Sequence, residues 1–184
     1  MVLQRLFVFL LVASGATTLT SADDKSAPAF RFKDVDYFHR WSGGTQHEFT
    51  PARQEDLDHW SDMITVNVYP DAGDGEELAD AANNVLENYK NNGGKILNTR
   101  SVPPAEGHPA EHFISVAFTR PDLAEAAFAR FKLNEGKGYS FVYSHHFYGK
   151  KATDEMNAWL KANGEETENA LMKWEPSLET IPAE

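Results

Sequence analysis

Cysteine is absent from this chain of 184 residues. The absence excludes disulfide bonds, a thiol nucleophile and the lipidated cysteine that anchors bacterial lipoproteins. Basic residues are scarce as well, since 17 Lys and Arg stand against 28 Asp and Glu for a formal net charge of −11. Nucleic-acid binding depends on clustered Lys and Arg, so no nucleic-acid partner is expected.

Long hydrophobic runs are also missing. The apolar run from Leu6 to Ala13 is far shorter than the roughly 20 residues that span a bilayer. It follows Arg5 and precedes small residues, which is the pattern of a secretory signal peptide. We expect cleavage after Ala22, with Ala16 as the alternative, so that residues 1–22 are removed.

N-glycosylation acceptor sites are missing too, because no Asn is followed two residues later by Ser or Thr. Bacterial export fits this absence better than eukaryotic secretion does. The sequence therefore predicts a soluble, exported protein, most simply of the bacterial periplasm, without a membrane span.

Hydrophobic residues make up 41% of the chain and aromatic residues 12%. At this length, that content predicts one domain with a sizeable core. Residues 23–34 are polar and aperiodic, which predicts a flexible lead-in. We therefore expect a single domain over residues 35–176 and a C-terminal tail over 177–184.

The first part of the predicted domain contains a hairpin and a short helix. Tyr37 to Trp41 favours a strand, and Gln46 to Thr50 can pair back on it. Thr50-Pro51 is typical of a helix N-terminus, and Leu57 with Trp60 supplies an apolar stripe for a helix of about two turns.

Regular alternation of side chains over Met63 to Tyr69 predicts a strand. Asp74 with Glu77 resembles a capping box and predicts a helix that ends at Gly93-Gly94. The apolar residues of this helix recur at helical spacing: Leu78, Ala82, Val85 and Tyr89.

Strands follow in the second half. Lys95 to Val102 and Glu111 to Thr119 both read as strands, as does Tyr139 to Tyr148. Residues 122–133 are ambiguous, because their alanine content favours a helix whereas the glycine-rich turn after them favours a hairpin partner. We predict a strand there, since sheet context can override weak helix propensity.

Two helices are predicted at the end of the chain. Thr153 caps the first, which closes at Asn163-Gly164, and the second extends from Glu165 to Trp174. No alternating β-α-β pattern is present, so the fold class is α+β: a single-domain sandwich in which helices flank an antiparallel sheet of about five to seven strands.

The order of these elements resembles the PsbP-like family. The resemblance covers Tyr37 to Trp174 and includes the hairpin from Phe131 to Tyr148 with its turn Gly136-Lys-Gly138. It implies an exported or organellar protein with an antiparallel sheet between helices. That family contains accessory and binding proteins more than enzymes, so a non-catalytic role is implied, and no functional residue is identified.

One face of the last predicted strand is aromatic: Tyr139, Phe141, Tyr143, His145 and Phe147. These rings can be core packed beneath the helix that carries Trp159 and Trp174. Alternatively, a gap between sheet and helix makes them a ligand site, with Tyr139, Tyr143 and His145 as its polar groups. The opposite face is more polar and is expected to meet solvent or a partner: Ser140, Val142, Ser144, His146 and Tyr148.

Histidines offer a possible metal site. His108, His112 and His145 could converge across the sheet, with Glu106 or Glu111 as a carboxylate ligand for Zn(II) or Cu(II). Surface or hydrogen-bonded structural histidines are the favoured interpretation, because His145 and its neighbour point to opposite faces of a strand and His108 lies in a proline-rich loop.

Sequence signatures of catalysis are mostly lacking. Gly138-Tyr-Ser140 has no closing glycine for a nucleophile elbow, and His47-Glu48 has no second His at the zincin spacing. No cofactor is therefore expected. The sequence favours a non-enzymatic binding or accessory protein acting through a protein-interaction surface or a modest apolar cleft. The alternative is a metal-binding or metal-assisted hydrolytic protein that uses His108, His112 and His145.

Overall fold

Eight strands form one antiparallel sheet in the computed structural model, which describes residues 27–181. The predicted signal peptide (1–22) and the start of the predicted lead-in lie outside the described residues. The strands are β1 (Phe30–Phe32), β2 (Val35–Gly43), β3 (Gln46–Pro51), β4 (Asp62–Tyr69), β5 (Lys95–Val102), β6 (Glu111–Arg120), β7 (Leu123–Asn134) and β8 (Lys137–Tyr148). The helices are α1 (Gly75–Asn91), α2 (Ala152–Lys173) and a single 3₁₀ turn at Leu178–Thr180.

The spatial order of the strands is β1-β2-β3-β4-β8-β7-β6-β5. After β4 the chain passes through α1 to β5, at the far edge of the sheet. Strands β6, β7 and β8 then follow one another by hairpins, and β8 pairs with β4. The predicted α+β class and antiparallel sheet are confirmed. The sheet has eight strands, one more than the predicted range.

The additional strand is β1, which lies in the segment predicted to be a flexible lead-in. Phe30 and Phe32 are buried on one face and Arg31 between them is exposed. The structured domain therefore begins before Val35, and the predicted boundary is wrong there. Two aromatic side chains anchor this strand, but it is too short for its alternation to stand out in a polar segment.

The two helices cover opposite faces of the sheet. Asp74 caps α1, because its side chain accepts the backbone N–H groups of Glu76 and Glu77. The predicted apolar residues of α1 are buried against β5, β6 and β7. On the other face, α2 packs on β6, β7 and β8. No helix within residues 27–181 combines the length and the apolar character needed to cross a membrane.

The short helix predicted after Thr50 does not form. Strand β3 continues through Pro51, and the Thr50 hydroxyl donates to the Gln54 carbonyl oxygen instead of capping a helix. Residues 52–61 form a loop in which Leu57 and Trp60 are buried. Two apolar residues do not compensate for the cost of nucleating so short a helix.

The two predicted C-terminal helices are one continuous helix, α2. Gly164 lies in its interior, and the Asn163 side chain donates to the Trp159 carbonyl oxygen of the preceding turn. Buried Thr167 and Leu171 extend the face that begins with Met156. Packing of this face on the sheet therefore outweighs the local stop signal.

Residues 123–134 are the strand that was predicted in preference to a helix. Each residue of β7 pairs with β6 or β8, and the alanines from Ala124 to Ala129 are buried. A central position between two long strands overrides the helix propensity of alanine.

Candidate functional site

A cleft of about 380 Å³ opens on the sheet face that carries α2. Because α2 packs over β6, β7 and β8, the face of strands β2 to β4 is left to form one side of this space. We call it the α2 cleft, and its lining residues are Phe32, Lys33, Val35, Tyr37, Pro51, Gln54, Asp62, Tyr143, His145, Trp159 and Asn163.

A hydrogen-bonded cluster of Asp62, Tyr143 and His145 forms the polar part of the cleft. Tyr143 donates its hydroxyl to Asp62 Oδ1 over 2.7 Å, and His145 Nδ1 lies 2.8 Å from the same oxygen. Strand register explains the meeting, since Asp62 pairs directly with His145 and the next inward residue of β4 pairs with Tyr143. Side chains of one face on adjacent strands lie within reach of each other.

The environment of Asp62 favours its ionised form. Burial alone raises the pKa of this carboxyl, but the hydrogen bond and charge of His145 and the hydroxyls of Tyr143 and Ser61 together hold the pKa below its ordinary value. Burial, followed by the nearby Asp62 charge, raises the pKa of the Tyr143 hydroxyl. At neutral pH the cluster therefore contains a carboxylate and a protonated phenol.

Aromatic neighbours fix the His145 ring in one orientation. Trp159 of α2 stacks on it with 4.9 Å between ring centroids and 8° between planes, and Phe147 meets it edge-on at 4.6 Å. The side chain is 19% exposed. Because Nδ1 faces Asp62, the other ring nitrogen, Nε2, is the one that remains for a ligand.

Two of the three predicted ligand-binding residues, Tyr143 and His145, line the cleft. Tyr139 does not, because it lies nearer the start of β8, where it stacks on Phe141. Asp62 was missed by sequence reasoning. The sequence did contain a signal for Asp62, because it stands two residues before Ile64 and alternate residues of a strand share a face.

The aromatic face of β8 is partly core and partly borders the α2 cleft. Phe141 and Tyr143 are buried in the core on this side of the sheet, with Trp159 and Trp174 packed against it. Near the other end of β8, the rings of Tyr143 and His145 also border the cleft. Their binding role stays a prediction.

The three histidines predicted as a possible metal site do not come together. His112 faces the α1 side of the sheet with Ile114 and Val116, whereas His145 faces the α2 side. His108 is exposed in the loop between β5 and β6. Among residues 27–181, no group of three or more His, Asp or Glu side chains has the arrangement of a metal site.

The opposite face of β8 is covered, although it was expected to meet solvent or a partner. Ser140, Val142 and Ser144 are buried. Further along, Trp60 of the 52–61 loop stacks on His146 at 3.6 Å. His146 Nε2 lies 3.2 Å from Glu125 Oε2 without hydrogen-bond geometry. The sequence could not show this cover, because the loop and the strand are distant along the chain.

No protein-family model matches the chain, and no curated protein sequence matches it. Among solved structures, it is similar to the 1.9 Å crystal structure of the Ran-binding protein Mog1p from Saccharomyces cerevisiae. That similarity has 12% sequence identity and a TM-score of 0.47, and it covers 74% of this chain and 82% of the Mog1p chain. It assigns no role to any residue described above.

Proposed function

We propose that this protein is a non-enzymatic binding protein that holds a small, largely apolar ligand in the α2 cleft. The observation that carries the proposal is the cleft itself, with a volume of about 380 Å³, aromatic walls and one convergent polar cluster. Ligand pockets in proteins have this size and this mixture of an apolar lining with a few oriented polar groups.

Preorganisation supports a binding role. Asp62, Tyr143 and His145 hold one another in place, and the Gln54 side chain accepts the backbone N–H groups of Ser61 and Asp62. A ligand entering this cleft therefore does not have to order these groups, which reduces the entropic cost of binding.

The hydrogen bonds of His145 support binding more than catalysis. Within residues 27–181, its side chain is hydrogen-bonded to Asp62 alone. Nucleophilic catalysis by a His–Asp pair needs a hydroxyl or thiol at the other ring nitrogen. The cluster is complete as a recognition element without such a group.

Thermal-shift measurements on the purified protein with a panel of small aromatic compounds test this function. Val35 lies at the rim of the cleft with 40% exposure, and Val102, in the edge strand β5, has the same exposure. We expect Val35→Trp to abolish stabilisation by the compounds, whereas the matched control Val102→Trp retains it. Stabilisation that survives in Val35→Trp would place binding elsewhere. At a ligand concentration of 100 times a micromolar Kd, bound ligand is expected to stabilise the wild-type protein by about 2.7 kcal/mol. Absence of any stabilisation up to that concentration would reject the function.

We also propose that the protein is exported, as the N-terminal sequence and the PsbP-like resemblance predict. N-terminal sequencing of the protein recovered from a periplasmic fraction is expected to begin at Asp23, or at Thr17 if cleavage follows Ala16. Recovery of the uncleaved chain from the cytoplasm would contradict export without affecting the binding function.

A further inference from the structure

Asp62 determines which ring nitrogen of His145 carries a hydrogen. An ionised carboxylate can only accept hydrogen bonds, and Asp62 accepts from the Tyr143 and Ser61 hydroxyls. His145 Nδ1, at 2.8 Å from Oδ1, must therefore carry a hydrogen and donate it. In the neutral imidazole, Nε2 is then an acceptor.

The direction of this acceptor is fixed. Stacking on Trp159 and the edge-on contact with Phe147 hold the ring plane, while the bond to Asp62 sets the rotation within that plane. A rigid acceptor discriminates well between ligands that donate a hydrogen bond and those that do not, because an unmatched polar group in a desolvated site carries a penalty.

The walls around His145 suit a flat apolar body. Phe32, Tyr37, Tyr143 and Trp159 supply aromatic surface, and Val35 with Pro51 supplies aliphatic surface. Aromatic rings favour offset or edge-on contacts with one another. A planar ring therefore gains more from this lining than a flexible chain of similar size does.

Charge in the cleft disfavours anions. Asp62 carries a negative charge directly beside His145. The cationic lining residue Lys33 already donates to Thr167 and pairs with Glu166 at 3.2 Å. An anionic group at His145 Nε2 thus meets repulsion from Asp62 and a lysine that is already engaged.

We propose that the α2 cleft selects neutral aromatic compounds that bear a hydroxyl group, the phenol class, with the hydroxyl donating its hydrogen to His145 Nε2. This inference rests on the proposed binding function and adds the chemical class of the ligand.

Isothermal titration calorimetry with three matched probes at neutral pH tests the selection. The probes are 4-ethylphenol, 4-ethylanisole, whose ether oxygen has no hydrogen to donate, and 4-ethylbenzoate, which is an anion. We expect 4-ethylphenol to bind about tenfold more tightly than 4-ethylanisole, the effect of one hydrogen bond, and 4-ethylbenzoate to bind most weakly.

Two substitutions localise the preference. His145→Phe keeps an aromatic ring beside Trp159 but removes the acceptor, so the phenol and the anisole are expected to bind with equal affinity. His108→Phe alters an exposed histidine outside the cleft and should keep the tenfold preference. If His145→Phe fails to fold, side-chain ¹⁵N NMR of the wild-type protein replaces it, with a change at the Nε2 resonance of His145 expected only with 4-ethylphenol.

The outcomes separate the inference from the function on which it rests. Equal binding of phenol and anisole to the wild-type protein, or preferred binding of the benzoate, would overturn the phenol selection while leaving the cleft as a binding site. Failure of all three probes to bind at millimolar concentration would overturn both.

Discussion

At the scale of single residues, Asp62 connects the two other polar groups of the cleft, Tyr143 and His145. Its side chain joins the hydroxyl of a core tyrosine, Tyr143, to the imidazole of His145, which borders solvent. A charge this enclosed is tolerated because hydroxyl and imidazole donors surround it. The carboxylate therefore contributes both to folding and to the orientation of the proposed recognition group.

Asp62→Asn is expected to lower the free energy of unfolding by about 1 kcal/mol at neutral pH, because charge-assisted hydrogen bonds become neutral ones. The pKa of Asp62 is lowered in the folded state. Its stabilising contribution is thus fully present above the unfolded-state pKa of about 3.9 and is lost as the pH falls through the lower folded-state value.

Urea denaturation of both proteins over a series of pH values measures this dependence. The difference between wild type and Asp62→Asn should be constant above about pH 5 and should narrow below it. A difference that grows as the pH falls would show that the carboxylate is destabilising in the fold.

Arg130 stabilises the contact between β7 and the end of α2. It is buried, forms a bidentate pair with Glu111 at 2.7 and 2.8 Å, and donates to the carbonyl oxygens of Leu171 and Trp174 at the end of α2. It therefore satisfies carbonyl groups that a helix C-terminus leaves without partners.

Arg130→Met is expected to destabilise the protein by about 3 kcal/mol, because Glu111 and the α2 carbonyl groups lose their donor. Chemical denaturation gives the value. Lys90→Met is the control, since Lys90 forms an exposed pair with Glu87 and its loss should change stability by less than about 1 kcal/mol. Equal effects of the two substitutions would contradict the role assigned to Arg130.

At the scale of elements, α2 shows how tertiary packing overrides a local signal. Asn163-Gly164 has the composition of a helix end, yet the helix continues through both residues because its next two turns bury Thr167 and Leu171. The same competition decides β7, where alanines favour a helix and pairing on both sides imposes a strand.

Gly164→Ala distinguishes one helix from two. In a continuous helix, alanine at this position should stabilise the protein by roughly 0.5–1 kcal/mol, since the backbone is helical and an added Cβ would lie 3.9 Å from Leu160. Thermal unfolding measures the change. A loss of stability would indicate that Gly164 has a conformation restricted to glycine, as at the end of a helix.

At the scale of the whole molecule, local patterns in the sequence were enough for α1 and for six strands. The prediction of β7 depended on the glycine-rich turn that follows it, because its own alanines favour a helix. Local patterns could not provide the pairing of β4 with β8, which brings Asp62 to His145. They also could not show that α2, whose packing on the aromatic face of β8 was considered, covers β6 and β7 as well. Both depend on contacts between segments that are far apart along the chain.

The cleft follows from these distant contacts. Tyr143 and His145 were predicted as binding residues because their strand is aromatic on one face. Asp62 and Lys33 come from other elements and enter the site only when the sheet is assembled. The chemistry of individual residues was thus accessible from the sequence, while their combination was not.

Backbone ¹H–¹⁵N NMR of the purified protein during titration with 4-ethylphenol tests whether the α2 cleft is a small-molecule binding site. We expect saturable shifts confined to the cleft, at Phe32, Asp62 and His145 and at the Trp159 indole. Shifts concentrated instead at the exposed edge strand β5, around Leu97 and Val102, or no shifts at millimolar ligand, would contradict it.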